Sequence, residues 1–215
     1  MTDSPLEFAK KYLAGRDPVV LDALRRSAVG IAGAGGLGSS VAVALARAGV
    51  GRLVIADFDR VEASNLNRQQ YFVDQVGRVK VEALKENLLR INPFSVYETH
   101  EARVTRRNAA AIFKAVDVLV EAFDNAEAKQ MLIEACLRRY PGRPIVAASG
   151  LAGYGGTRKL HVRRLGNLYI CGDEASQCPK GVSPMAPRVG VVAHMQANLV
   201  VELLVKMRGR HDQGQ

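Results

Sequence analysis

Short apolar runs alternate with amphipathic segments along this chain. Residues 28–32 (Ala-Val-Gly-Ile-Ala), 52–56 (Arg-Leu-Val-Ile-Ala), 117–121 (Asp-Val-Leu-Val-Glu) and 144–148 each hold an apolar run of strand length. Such runs mark strands covered on both faces. Between them the period changes to that of helices. Residues 39–48 form a small-residue helix closed by Gly49–Gly51. Residues 78–90 place Val81, Leu84, Leu88 and Leu89 on one face and stop at Asn92-Pro93. Further helices are expected at 107–115, capped by Thr105, at 127–140 and at 188–207, the last amphipathic. A strand is expected at 95–100, and an antiparallel pair at 158–162 and 168–170. Polar residues 57–76 show no period, and the glycines of 150–156 and the stretch 172–187 read as irregular loops.

Alternating strands and helices predict an α/β, Rossmann-like fold. Its parallel-dominated sheet carries helices on both faces and an antiparallel extension after residue 157. Residues 1–27 read as a helical lead-in and 28–215 as a single domain. The chain of 215 residues, 48% hydrophobic, is long enough for one substantial core. Three cysteines (Cys136, Cys171, Cys178) are too few and scattered for a disulfide scaffold, which predicts a reducing, cytoplasmic setting. Residues 1–11 carry charges and no long apolar run, so no export signal is expected, and no apolar stretch suggests a membrane span. The tail 211–215 reads as frayed. A net charge of +9 suits a polyanionic substrate, an acidic partner or nucleic acid, although the basic residues are dispersed rather than gathered into a tail.

The candidate chemistry begins at Gly33-Ala34-Gly35-Gly36-Leu37-Gly38. These glycines let backbone N–H groups approach phosphate, and the following helix adds its N-terminal partial charge. Alone, this is a tight strand-to-helix turn or a dinucleotide fingerprint. Asp57 ends the next strand at the ~20-residue offset where such folds place the acid that accepts ribose hydroxyls. Asp59 touches ribose or orders the loop. Ser64-Asn65-Leu66-Asn67-Arg68-Gln69 and Lys80 then supply an Arg, a Lys and amides where a triphosphate would lie. Asp124 follows the apolar strand 117–121, at the carboxyl end that opens on a ligand crevice. A carboxylate facing phosphates there suits Mg²⁺; capping the next helix is the competing role.

These motifs in this order resemble the ubiquitin-activating-enzyme-like family. Residues 152–156, 167–173 and 185–190 look most like its short ThiF-type members, which adenylate sulfur carriers in thiamine (thiazole) synthesis. The resemblance implies ATP and Mg²⁺ as cofactors and a small ubiquitin-like carrier ending in Gly-Gly as partner. The carrier's carboxylate attacks the α-phosphorus and pyrophosphate leaves. It implies Arg68, Lys80 and Asp124 as catalytic residues, Asp124 holding Mg²⁺. Gly33, Gly35, Gly36, Leu37, Gly38, Asp57, Asp59, Asn65, Arg68, Gln69 and Lys80 would bind the nucleotide. Cys171 is the candidate for a covalent link to the carrier, against a buried structural role. The resemblance further implies a homodimer, with Arg16 as the candidate to reach a neighbouring site. Relatives with zinc carry two Cys-x-x-Cys pairs; this chain has none, so no structural zinc is expected. A sibling class that adenylates and cyclises a modified adenosine in tRNA stays open, as do a nicotinamide oxidoreductase and a non-catalytic carrier-binding module.

Overall fold

The computed structural model describes residues 5–212; residues 1–4 and 213–215, including part of the expected tail, lie outside the described residues. Two helices, α1 (Pro5–Leu13) and α2 (Pro18–Arg25), precede the sheet. Asp17 caps α2 by accepting from Val19 N and Val20 N, and Pro18 occupies the first turn, where its missing N–H costs nothing. Then follow β1 (Ala28–Ala32), α3 (Gly36–Ala48), β2 (Arg52–Asp57), α4 (Lys80–Ile91), β3 (Val96–Glu101), α5 (Ala109–Ile112), β4 (Val118–Glu121), α6 (Ala126–Arg139), β5 (Ile145–Ala148), β6 (His161–Leu165), β7 (Leu168–Gly172) and α7 (Ala186–Asp212).

The seven strands form one sheet in the order β3-β2-β1-β4-β5-β7-β6, parallel throughout except for the antiparallel β6–β7 pair. The expected Rossmann-like α/β fold is therefore the observed one. Strand residues alternate between two cores. Val29, Ile31, Leu53, Ile55, Val118 and Val120 pack beneath α3, α4 and α7, whereas Val54, Leu119 and Ile145 face Phe113 and the α5–α6 side. Leu24 of α2 belongs to the first of these cores. Both faces are dry, which is why the strands read as unbroken apolar runs.

Several expected boundaries move. The first strand of the antiparallel pair begins at His161, because Thr157–Lys159 forms a 3-10 turn. The helix expected at 107–115 shrinks to the four residues of α5, and Thr105 does not cap it through its side chain. Asn108 Oδ1 instead accepts from Thr105 N at 2.7 Å. Helix α7 runs past the expected end at Met207. Its segment Ala186–Gly209 is long and apolar enough to cross a membrane, with a mean hydropathy of 1.3, which corrects the expectation that no such stretch exists. In the fold, this apolarity has an internal use: Val189, Val192, Ala193, Ala197, Val200 and Leu204 are buried in the core shared with α3.

Candidate active site

The strand order reverses between β1 and β4, and the crevice at such a switch point is where open α/β sheets receive ligands. Here the crevice is a cavity of about 1220 Å³, lined by the turn after β1, the end of β2 and the loops after β3, β4 and β5. The register explains the convergence. Ala32 pairs with Ala56 on one side and with Glu121 on the other, so the segments leaving β1, β2 and β4 emerge side by side.

Gly33 sits at φ +100°, and Gly35 precedes α3 with no side-chain cap, leaving that helix N-terminus open toward the cavity. Gly38 has a different task from that of its neighbours. A Cβ there would lie 1.8 Å from Gly33 O, so Gly38 lets the helix close down on the turn and does not itself line the cavity. Asp57 braces the same turn. Its Oδ2 accepts from Ala34 N at 2.6 Å and its Oδ1 from Asp59 N at 2.8 Å. Tyr71 donates its hydroxyl to Ala34 O at 2.7 Å. Burial, then the charges of Asp57 and Asp59, push that hydroxyl's pKa upward, so it stays a donor.

The polar loop after β2 is pinned at its base. Val61 N donates to Arg78 O and Lys80 N to Asp59 O, at 2.8 and 2.9 Å. This brings the buried Lys80 Nζ within 2.9 Å of Asp59 Oδ2 at the cavity wall. Arg68 and Gln69 also line the cavity. Arg68 Nη1 donates to Asn67 Oδ1 at 2.8 Å, and no carboxylate among the described residues neutralises it. Gln69 is only 8% exposed, and its Oε1 has no hydrogen-bond partner. An orphaned buried amide oxygen beside the Gly turn is a group that a bound ligand or water would satisfy. Asn65 stands off the cavity lining: its Oδ1 accepts from Glu62 N at 3.1 Å and closes a reciprocal cap on the turn Ala63–Asn65.

At the end of β4, Asn125 takes the helix-capping role, accepting from Ala128 N at 2.9 Å. Asp124 is left exposed at the cavity, its side chain without a hydrogen-bond or ion-pair partner among the described residues. The turn carrying it is braced by the fully buried Glu121, which accepts from Phe123 N at 2.7 Å and pairs with Lys129. Burial raises the Glu121 pKa, and Lys129 opposes the rise. Among the described residues, no group of three or more His, Cys, Asp or Glu could hold a metal. A lone carboxylate still suits Mg²⁺, which keeps most of its waters and bridges to phosphate.

Cys171 is misplaced for covalent chemistry. It lies in β7, fully buried and away from the cavity lining, and burial pushes its thiol up to about 12. The thiolate is the nucleophile, so this site suppresses it. Cys178, on the loop after β7, does line the cavity and is half-buried. Sequence reasoning also passed over Arg103, Thr105 and Arg106, which line the cavity from the loop after β3, the Arg103 guanidinium lying 3.9 Å from the Phe58 ring centroid. The rule that singled out Asp57 and Asp124, the carboxyl end of a parallel strand, applies equally to β3 and could have found them. Arg16 folds back over Tyr12, at 4.8 Å, and is not part of the cavity lining.

Fold and site together define an α/β protein with an open glycine turn and a polar cavity at the switch point of its sheet. The chain belongs to the ThiF family, whose model matches residues 11–214. It is 32% identical over 193 residues to the adenylyltransferase and sulfurtransferase MOCS3 of Anopheles gambiae, covering 86% of this chain and 43% of that protein. It is 34% identical over 196 residues to the adenylyltransferase and sulfurtransferase uba4 of Emericella nidulans, covering 84% and 40%. The chain thus spans less than half the length of these curated relatives. Among solved structures it resembles E. coli tRNA N6-threonylcarbamoyladenosine dehydratase, TcdA, in complex with ATP. The TM-score is 0.85 at 20% identity, over 98% of this chain and 99% of that one. It also resembles E. coli MccB with ATP, with a TM-score of 0.65 at 24% identity, over 87% and 59%. At these identities the likeness is one of fold.

Proposed function

We propose that this chain is an ATP-dependent adenylyltransferase that activates a carboxylate. The observation that carries the reading is the convergence on one cavity of an uncapped Gly turn, Arg68, Gln69, Lys80 and Asp124. ATP fits this set. The Gly33–Leu37 backbone and the α3 N-terminus would cradle phosphate, and Asp57, which holds the turn, would also accept from the ribose hydroxyls. The unpartnered Gln69 Oε1 would find a partner in the nucleotide or its water. The acceptor carboxylate attacks the α-phosphorus, the bond to pyrophosphate breaks, and an acyl-adenylate forms. Arg68 and Lys80 stabilise the charge on the phosphate oxygens, the kind of preorganised stabilisation that dominates such transfers. Asp124 would hold Mg²⁺, which when bound offsets the phosphate charge.

Two acceptors compete for this chemistry. Identity of 32–34% to adenylyltransferase–sulfurtransferases supports the C-terminal glycine of a ubiquitin-like sulfur carrier. The match to the tRNA dehydratase over nearly the whole of both chains, together with the net charge of +9, supports a carboxyl-bearing modified adenosine in tRNA at least as well. ATP–pyrophosphate exchange decides between them, run with a Gly-Gly-ended carrier and, separately, with tRNA bearing the carboxylated adenosine. Exchange dependent on one acceptor assigns it. No exchange with either, alongside tight NAD binding, overturns the adenylation reading.

A further inference from the structure

The loop that carries Arg68 and Gln69 is anchored in the core by Val61 and Tyr71, with Leu66 packed against it, yet Gln69 and Gln70 between them rest on polar contacts. The polar fixings at Gln70 come from both flanking helices. From α4, the buried Asn87 faces the buried Gln75 in a reciprocal amide pair: Gln75 Nε2 donates to Asn87 Oδ1 at 2.8 Å, and Asn87 Nδ2 donates to Gln75 Oε1 at 2.9 Å. Asn87 Nδ2 also donates to the main-chain Gln70 O at 3.0 Å. Gln75 Oε1 accepts in addition from Phe72 N at 3.1 Å. From α3, Ser39 Oγ accepts from Gln70 N at 3.1 Å, and Ser40 Oγ accepts from Gln70 Nε2 at 3.3 Å. Gln70 is therefore gripped on both sides, one residue from Gln69 and two from Arg68.

We infer that Asn87 and Gln75 are positioning residues, which through Gln70 hold Arg68 and Gln69 at the phosphate end of the cavity. Neither side chain lines the cavity, so neither meets the nucleotide. Their effect runs through the backbone of residues 68–71. The Gln75–Asn87 pair is buried, where unsatisfied amides are costly, and its bond to Gln70 O is partly buried, so the arrangement favours one geometry over several. The ligand-binding consequence rests on the ATP reading above; the geometric one does not.

Asn87→Asp tests it, because the carboxylate keeps the shape and the acceptor but cannot donate to Gln70 O. Asn87→Ala serves if the buried acid prevents folding. Two readouts are needed. By hydrogen–deuterium exchange on the ligand-free protein, the amides of residues 69–72 should exchange faster in the variant, while those of β1 and α3 stay as in wild type. By calorimetric titration, the Kd for Mg·ATP should rise about tenfold, the loss of roughly one hydrogen bond's worth of placement. The Kd for adenosine, which has no phosphates for Arg68 to meet, should stay within about twofold. In an Arg68→Ala, Gln69→Ala background, Asn87→Asp should add no further loss of ATP affinity. Unchanged exchange at 69–72, or an equal loss of ATP and adenosine affinity, would overturn the inference. Wild-type protein that binds no ATP would overturn the adenylation reading, and the exchange result would still decide the positioning role.

Discussion

Gly38→Ala should destabilise this protein, although Gly→Ala within a helix ordinarily does the reverse. In an unobstructed helix interior the change gains up to about 1 kcal/mol, because glycine loses more backbone freedom on folding. At Gly38 the new Cβ would stand 1.8 Å from Gly33 O, 2.8 Å from Gly33 C and 3.3 Å from Ala122 Cβ. The obstacle is backbone rather than a side chain that can rotate away. Overpacking of this kind costs roughly 1–3 kcal/mol, and an immovable neighbour puts it near the top of that range. For a chain of this size, about 3 kcal/mol lowers Tm by about 6–12 °C. The same shift would move the N–H groups of the cavity-lining turn, and if these hold phosphate as proposed, a displacement near 1 Å costs on the order of 10²-fold in turnover. Gly190→Ala is the internal control. It too lies in a helix, but nothing stands within 4 Å of its Cβ position, so its Tm should hold or rise. Thermal denaturation of both variants, with ATP titration of each, checks the pair. A Gly38→Ala protein as stable as wild type, binding ATP as well, would refute the claim that close approach to Gly33 fixes this residue.

Asp124→Ala should leave Tm within about 1 °C, since the side chain is exposed and surface changes cost little, while Mg²⁺-dependent exchange falls about 10²–10³-fold; wild-type turnover would remove Asp124 from the site. Iodoacetamide at pH 8 should alkylate Cys178 well before Cys171, as fragment-ion mass spectrometry of the tryptic peptide 165–180, which holds both, would show, and Cys171→Ala should keep adenylation. Asp173 is held down to about 2, first by the Ser176 backbone N–H and also by Ala175 N and the Arg188 guanidinium, 2.5 Å away. A depressed carboxyl contributes stability above its unfolded value, and that contribution is lost as pH falls through the folded one. Wild-type Tm should therefore drop between about pH 4 and 2 more steeply than that of Asp173→Asn; parallel curves would contradict the assignment.

Much of the architecture is legible in the chain itself. Continuous apolar runs mark β1, β2, β4 and β5, because a parallel sheet covered on both faces tolerates no polar alternation. The glycine spacing after β1, an acid at the end of β2 and one just beyond β4 follow from where such sheets open. This is why Gly33, Asp57 and Asp124 could be singled out before any contact was seen. The antiparallel β6–β7 extension agrees with that reading.

Packing decided the rest. Sequence period does not say which of Asp124 and Asn125 caps α6, and the fold gives the cap to Asn125 and leaves Asp124 facing the cavity. Nor does it say which thiol is accessible: pairing with β5 buries Cys171, while the loop beyond carries Cys178 to the cavity wall. Gly38 and Asn65 lie in the nucleotide motif, yet one serves close packing and the other a local cap. Helix α7 is apolar enough for a membrane, and only its seat against α3 and the sheet gives that surface a partner within the chain. In each case the residue's type is a local fact, fixed along the chain. Its solvent access and hydrogen-bond partner come from segments far away in sequence, and these are set only when the sheet closes.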